Sequence, residues 1–370
     1  MPPLNILHAM RAPVGGLFRH VVDLAGAQVA RGHRVGIVAD AVTGAERAEA
    51  TLAALAPSLA LGVTRIPMSR QLGWKDIAAA RAVAALAARH DADVVHGHGA
   101  KGGAYARLAK KGRAIRVYTP HGGSLHYSRT SLVGLIYLTL ERALMPRAEL
   151  FLFESAFGRD AFKERVGAPS GIVKVVHNGV AEAEFAPVAP EPDAADILFI
   201  GELRMLKGID VLLDVLALLR AEGRSLSAAI VGDGPDATIL RTHAATLGLA
   251  DNVRFHGPMP ARAAFAKGRL LVVPSRAESL PYIVLEAAAA GIPLIATAVG
   301  GIPEIFGDDA GALVPAADPR ALAQAIIAAG EQPEAASALS QRLQARVRAK
   351  FLVGAMCDQV LAAYAEARGG

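Results

Sequence analysis

The sequence of 370 residues has one cysteine, Cys357, so no disulfide can form within the chain. That fits a reducing compartment. The N-terminus, Met1-Pro2-Pro3-Leu4-Asn5-Ile6, lacks a basic stretch followed by an apolar one, and no secretory signal is expected. No run of about 20 apolar residues is free of charge or helix breakers, so nothing is expected to span a bilayer. Charge is scarce as well. Charged residues make up 20% against 53% hydrophobic, which argues against disorder and allows large buried cores. The chain is too long for one ordinary domain and suits two of about 150–190 residues each.

The little charge present is unevenly spread. Residues 1–185 hold 23 Lys and Arg against 14 Asp and Glu, a net of +9; the remainder holds 16 against 20, a net of −4. A basic half beside an acidic half suggests that the first half meets something anionic, with ordinary solubilising charge as the plain alternative.

Both halves alternate strand-like runs with helical stretches. Ile6–Met10, Val35–Ala39, Val63–Pro67, Val94–His96, Arg116–Thr119, Leu150–Phe153 and Val173–Val176 read as strands in the first half. Ile197–Ile200, Ala228–Val231, Val253–His256, Leu270–Val273, Leu294–Ala296 and Ala312–Val314 do so in the second. Continuous apolar strands joined by helices imply parallel sheets covered on both faces. The expected fold is therefore α/β, two doubly wound Rossmann-like domains with C-terminal helices. Their boundaries fall at 1–183 and 195–350. A linker at 184–194 carries three prolines, Pro187, Pro190 and Pro192, and 351–370 forms a last helix placed back on the first domain. Ligands of such sheets bind beyond the carboxyl ends of the strands, so chemistry is expected in a cleft between the domains.

The richest motif is Pro274-Ser275-Arg276-Ala277-Glu278-Ser279-Leu280-Pro281, leading into the helix that holds Glu286. Glu278 falls on a strand-to-helix loop and Glu286 in the first turns of the helix, where backbone N–H groups favour an anion such as a diphosphate. A helix-dipole partner beside a solvated loop carboxylate is the plain alternative. Gly201-Glu202-Leu203-Arg204-Met205-Leu206-Lys207-Gly208 likewise joins strand to helix and offers Arg204 and Lys207 to a pyrophosphate. Gly15-Gly16, Gly232-Asp233-Gly234-Pro235 and Gly300-Gly301 follow strands and permit close backbone approach.

Five histidines, His20, His96, His98, His121 and His177, fall near the expected cleft. His121 directly follows a strand and is expected to point inward. His96-Gly97-His98 has no third ligand at a suitable spacing, so no metal site is expected. Asp91-Ala92-Asp93 precedes a strand, at the wrong edge for a metal–diphosphate pair, and reads as solvated. Gly97-His98-Gly99-Ala100-Lys101-Gly102 matches the dinucleotide fingerprint. No Asp or Glu occurs from Ala100 to Leu140 to hold a ribose, which leaves an NADP-dependent oxidoreductase, with Arg113 or Arg116 on the 2′-phosphate, as a minor alternative.

Together these residues resemble the group 1 (family 4) glycosyltransferases. The strongest part is Glu278-Ser279-Leu280-Pro281, then Leu285-Glu286-Ala287 and Gly291-Ile292-Pro293, then Gly300-Gly301-Ile302-Pro303-Glu304. Gly15-Gly16-Leu17-Phe18-Arg19-His20, Thr119-Pro120-His121-Gly122 and Asn178-Gly179-Val180 match as well. The chain departs where Glu202 takes the usual arginine position, with Arg204 as the stand-in. The resemblance implies a GT-B fold and a retaining, metal-independent hexosyltransferase that uses a nucleotide-sugar donor, UDP-sugar before GDP-sugar, and no cofactor. It makes His121, Glu278 and Lys207 the catalytic set. The donor is held by Gly15, Gly16, Arg204, Lys207, Gly232, Gly234, Glu278, Ser279, Leu280, Pro281 and Glu286, and the acceptor by His20, His98 and His121. A sugar-nucleotide epimerase, a phosphorylase or a non-catalytic nucleotide-sugar-binding subunit fits the same architecture.

Two segments of the basic half, Ala104–Arg116 and Ser128–Arg147, mix apolar residues with spaced cations, as a surface docking on anionic lipid does. The expected acceptor is a lipid-linked or oligosaccharide glycan of bacterial polysaccharide assembly, with a soluble small acceptor as the alternative. Nucleic acid is not expected as a partner. The expected location is the cytoplasm, including the inner face of the membrane.

Overall fold

A computed structural model describes residues 2–109, 112–123 and 130–369. The chain forms two compact units, Met1–Gly179 with Val353–Gly370, and Val180–Leu352. The first alternates β1 (Asn5–Met10), α1 (Gly15–Ala30), β2 (Arg34–Asp40), α2 (Ala45–Leu55), β3 (Gly62–Ile66), α3 (Lys75–Arg89), β4 (Val94–His98), α4 (Gly99–Leu108), β5 (Ile115–Thr119), α5 (Leu132–Leu144), β6 (Leu150–Phe153), α6 (Ala156–Arg165) and β7 (Ile172–Val175). Its seven strands are all parallel, in the order β3-β2-β1-β4-β5-β6-β7.

The second unit contains β8 (Ala195–Ile200), α7 (Ile209–Ala221), β9 (Ala228–Val231), α8 (Ala237–Thr246), β10 (Val253–His256), α9 (Ala261–Phe265), β11 (Gly268–Val273), α10 (Tyr282–Ala289), β12 (Leu294–Ala296), α11 (Ile302–Phe306), α12 (Pro319–Glu331) and α13 (Pro333–Lys350). Five parallel strands run β10-β9-β8-β11-β12. The run 312–314 is no strand. A 3₁₀ turn occupies Gly307–Ala312, and only Val314 bridges to Thr297. Among the described residues no helix is long and apolar enough to cross a membrane.

The central strands are buried on both faces because helices cover both, which is why they read as unbroken apolar runs, while the edge strands β3 and β7 are only partly buried. The order of each sheet reverses at its first strand. β1 lies between β2 and β4, and β8 lies between β9 and β11. The loops leaving β1 and β4, and those leaving β8 and β11, therefore diverge and open a crevice at the carboxyl edge of each sheet.

α14 (Val353–Gly369) joins the first unit. Met356, Val360, Leu361 and Tyr364 enter its core beside Val21 and Leu24 of α1. The proline-rich segment is held in the second unit: Phe185 is buried under the Arg348 guanidinium, Arg262 donates to the carbonyls of Glu184 and Ala186, and Lys267 pairs with Glu191.

Two expectations need correction. Asp93 is not solvated. It is buried, and it accepts from the Asn5 backbone at 2.9 Å, Arg113 Nε at 3.0 Å and Arg368 Nη2 at 2.9 Å, tying β1 to α14. The cations of 104–116 are not an open basic face either. Arg107 is fully buried, 2.7 Å from Glu141 and stacked 4.0 Å over Tyr118, while Arg116 pairs with Glu149. Lys110, Lys111 and Arg129 lie outside the described residues.

Candidate functional site

In the second unit the switch-point loops carry most of the expected donor residues. β8 ends at Ile200, and the chain turns through a 3₁₀ segment, Met205–Lys207, before entering α7. Gly208 makes that entry at φ +71°, and a Cβ there would overlap the carbonyl of Pro274, just beyond β11. Only glycine lets the two loops approach this closely. The approach places Lys207 Nζ 2.6 Å from Glu278 Oε1, although 71 residues separate them. Ser275 donates to the same oxygen at 2.7 Å. Glu278 thus enters the crevice as a carboxylate already held by a cation and a hydroxyl.

Behind it, Gly300 at φ +60° passes so near the Glu278 carbonyl that no side chain fits, and Gly301 N donates to Ser279 O at 2.7 Å. The glycine pair supports the Glu278 loop from below. Pro281 caps α10 in an extended conformation, Leu280 is buried in the core, and Glu286 is buried on α10 itself. Gly232 and Gly234 pack against the backbone of Gly201 and Leu203, so this turn braces the loop that carries Lys207.

Arg204 behaves differently from Lys207. It is half-exposed, and its Nη1 lies 3.7 Å from Glu202, the residue at the family's arginine position. Arg276, which the motif reading left without a role, makes two bonds to Asp210 of α7 at 2.7 and 2.6 Å. Burial opposes the ionisation of Asp210, but this pairing outweighs it and holds the carboxyl below its ordinary value. Ser275 and Arg276 were detectable in principle, as polar residues directly following an apolar strand.

In the first unit, Gly15 and Gly16 open α1 after β1, with Gly15 at φ +63° and no side-chain cap from Val14. The first amides of α1 therefore face the crevice without a side-chain acceptor, a setting that suits an anion. His98 ends β4, His121 follows β5 at φ +51°, and His20 lies one turn into α1. All three come together with His8 of β1 and His96 of β4. The His98 ring centroid lies 5.2 Å from that of His8, 3.9 Å from His96, 5.6 Å from His20 and 5.4 Å from His121.

Each ring is anchored. His8 Nε2 meets Gln28 Oε1 at 2.8 Å, and its Nδ1 meets His98 Nε2 at 2.9 Å. His98 Nδ1 meets His121 Nε2 at 3.1 Å, and His121 Nδ1 lies 3.1 Å from Glu154. His20 Nδ1 meets Asn178 Oδ1 at 3.0 Å, while His96 is held by Tyr364 and Thr119. Burial lowers His8 to about 4. Burial and the neighbouring His121 lower His20 to about 3. His96 and His98 fall well below the ordinary value for the same first reason, burial, with neighbouring histidines adding to it. His8, His20, His96 and His98 are therefore neutral near pH 7.

The third partner for His96 and His98 that chain spacing did not offer comes from other strands and from α1. His8 and Glu154 were missed. The signal for each was a lone polar residue in or directly after an apolar strand, NILHAM and LFLFE. His177 is not among the residues gathered here. The fingerprint glycines serve packing: a Cβ on Gly97 would overlap the Gly102 carbonyl, and one on Gly102 the Ala9 carbonyl, so α4 lies hard against β1 and β4.

Comparison with known proteins bears on the family and the fold. Residues 14–184 match the family model described as Glycosyltransferase Family 4, and residues 194–332 the one described as Glycosyl transferases group 1. A D-inositol 3-phosphate glycosyltransferase 1 of Catenulispora acidiphila is 30% identical over 292 residues, 69% of this chain and 68% of its own. The Streptomyces avermitilis D-inositol 3-phosphate glycosyltransferase is 34% identical over 226 residues, 55% of this chain and 48% of its own. This chain spans between a third and two thirds of the length of the first curated relatives it matches. Among solved structures, sucrose-phosphate synthase of Thermosynechococcus elongatus aligns over 98% of both chains with TM-score 0.80 at 22% identity. Anabaena Alr3699/HepE in complex with UDP aligns over 98% of this chain and 100% of its own, with TM-score 0.77 at 20% identity. These likenesses show the GT-B fold.

Proposed function

Since the chain belongs to the group 1, family 4 glycosyltransferases, we propose that it transfers a hexose from a nucleotide sugar to a glycan acceptor with retention of anomeric configuration. The observation that carries the reading is the Lys207–Glu278 pair at the switch point of the second unit. A donor diphosphate competes for Lys207, Glu278 takes the sugar hydroxyls, and Glu286 takes the ribose. As the diphosphate binds, Lys207 exchanges one anion for another, so the cation is already in place when leaving-group charge develops. Arg204, tied loosely to Glu202, is the second diphosphate ligand. His121 is the residue assigned to the transferred sugar. The departing phosphate takes the acceptor proton on the same face, so the step requires neither a protein nucleophile nor a metal.

UDP-sugar is the favoured donor, a choice supported by the UDP in the Anabaena complex. The favoured acceptor is lipid-linked, as in polysaccharide assembly at the inner membrane face. It is supported by α5, which leaves Leu132, Val133, Leu135, Ile136 and Leu140 exposed, with Arg142 and Arg147 at its end. A soluble inositol phosphate is the second reading, favoured by the names of the curated relatives and by the net charge of +9 in residues 1–185. Thermal-shift titration with UDP-, GDP- and ADP-sugars tests the donor site, and stabilisation by none of them overturns it. Transfer assays then offer a lipid-linked sugar and an inositol phosphate side by side. Epimerisation without acceptor, or phosphate-dependent release of sugar phosphate, overturns the transferase reading.

A further inference from the structure

The histidines of the first unit bring ring nitrogens from α1, β4 and the loop after β5 together. Gln28 presents its carbonyl oxygen to His8 Nε2, so His8 holds its proton there and its Nδ1 accepts from His98 Nε2. His98 Nδ1 is then a bare lone pair. His121 Nε2 meets that lone pair in a hydrogen bond of 3.1 Å. From the other side the Glu154 carboxylate lies 3.1 Å from His121 Nδ1. His20 is fixed in the same sense. Its Nδ1 donates to Asn178 Oδ1, which as an amide oxygen only accepts, so Nε2 is its lone pair. One nitrogen from each of His20, His98 and His121 lies within 4.8 Å of the other two. Two imidazoles that share one proton can share a cation in its place.

We propose that His20, His98 and His121 form a binding site for a divalent transition-metal ion of the Zn²⁺ class. Tetrahedral ligands at about 2.0–2.1 Å from zinc stand about 3.3 Å apart, close to the spacing already present between His98 and His121. The second ring nitrogen of His20 bonds Asn178 and that of His98 bonds His8, itself backed by Gln28, while Glu154 lies at ion-pair distance, 3.1 Å, from His121 Nδ1. Such partners fix the tautomer and orient each ring. The other histidine triad, His8, His96 and His98, is less suited, because Tyr364 and Thr119 occupy both nitrogens of His96. Three imidazoles without a carboxylate ligand select zinc, cobalt, nickel or copper over magnesium and calcium. Resting on the transferase reading, an ion here takes the His121 nitrogen that faces the transferred sugar, so binding inhibits transfer.

The test is a Co²⁺ titration of the full, tag-free chain followed by visible absorption, with Zn²⁺ competition by calorimetry. One Co²⁺ per chain with intense tetrahedral-type absorption, displaced by Zn²⁺, is expected. His20→Asn and His98→Asn abolish the absorption, and Glu154→Gln, which keeps the shape of the outer shell, weakens affinity by about 10–100-fold. His243→Ala, a histidine of the second unit paired with Asp214, leaves binding unchanged. A wild-type chain without the Co²⁺ signal overturns the site, as does a signal that survives in His20→Asn, His98→Asn and Glu154→Gln alike. Binding is read without turnover, so failure of the transferase reading leaves this outcome intact. A chain that transfers sugar but takes up no Co²⁺ overturns the metal site alone.

Discussion

At the scale of single residues, Lys207 and His121 are the two side chains proposed to share the work. Lys207 sits in a crevice opposite Glu278, and a diphosphate that reaches it makes charge-assisted bonds. Lys207→Ala is expected to weaken nucleotide-sugar binding by about 1.5–3 kcal/mol, roughly ten- to a hundredfold in Kd by calorimetry. An unchanged Kd excludes Lys207 as a diphosphate ligand. His121 is held in a left-handed conformation between Pro120 and Gly122. Strain of about 1–2 kcal/mol in a non-glycine residue is retained because Glu154 and His98 hold the ring from both sides. His121→Ala is expected to spare nucleotide affinity and to lower kcat by about 10²-fold or more, so a parallel loss of both makes its role structural.

How far these residues were legible follows from where the fold takes them. Lys207 and Glu278 each close a strand-to-helix loop, and any parallel sheet brings such loops to one edge, so local sequence sufficed. The contact between them was not legible, because it depends on β8 and β11 being neighbours. The histidine cluster shows the same limit more sharply. His96 and His98 stand two apart in sequence, yet their partners come from β1, α1 and the loop after β5. Asp93 was misread for a related reason: its partner Arg368 arrives on a helix 275 residues later.

At the scale of elements, Arg276 fastens the loop after β11 to α7 through Asp210. Both groups are partly exposed, so Arg276→Ala is expected to cost on the order of 1 kcal/mol at pH 7. The sign of its pH dependence follows from the depressed Asp210 carboxyl. The contribution of the pair is fully present above the ordinary value of 3.8 and is lost as the pH falls through the lower folded-state value. The gap in Tm between wild type and variant should therefore close below about pH 4. A gap that is constant down to pH 3 assigns the effect to packing. The helix α5 calls for a different measurement. Leu132 is 75% exposed, and the apolar side chains beside it gain nothing from facing water. Replacing Leu132, Val133, Leu135 and Ile136 with serine should leave Tm nearly unchanged and reduce co-sedimentation with anionic phospholipid vesicles severalfold. Equal sedimentation removes the support that α5 gives to a lipid-linked acceptor.

At the scale of the whole molecule, the first unit is completed from the far end of the chain. Met356, Cys357, Val360, Leu361, Ala363 and Tyr364 of α14 are buried in its core, and Tyr364 also holds His96 at 2.7 Å. The larger of these side chains contribute about 1.5–3 kcal/mol each by burial, so together they approach the entire stability of a typical domain, about 5–15 kcal/mol. A chain ending at Leu352 should therefore keep the folded second unit, whose sheet and cores lie within Val180–Leu352, and lose the first. Calorimetry of the full chain and the truncated one decides this. Loss of one transition while the other persists is the expected result, and retention of both shows that α14 is dispensable to the first unit. Tyr364→Phe is the milder companion, since it removes only the hydroxyl on His96 and should cost about 1 kcal/mol. A larger loss from that single atom means that Tyr364 also sets the protonation of His96, coupling the last helix of the chain to the histidines at the edge of the first sheet.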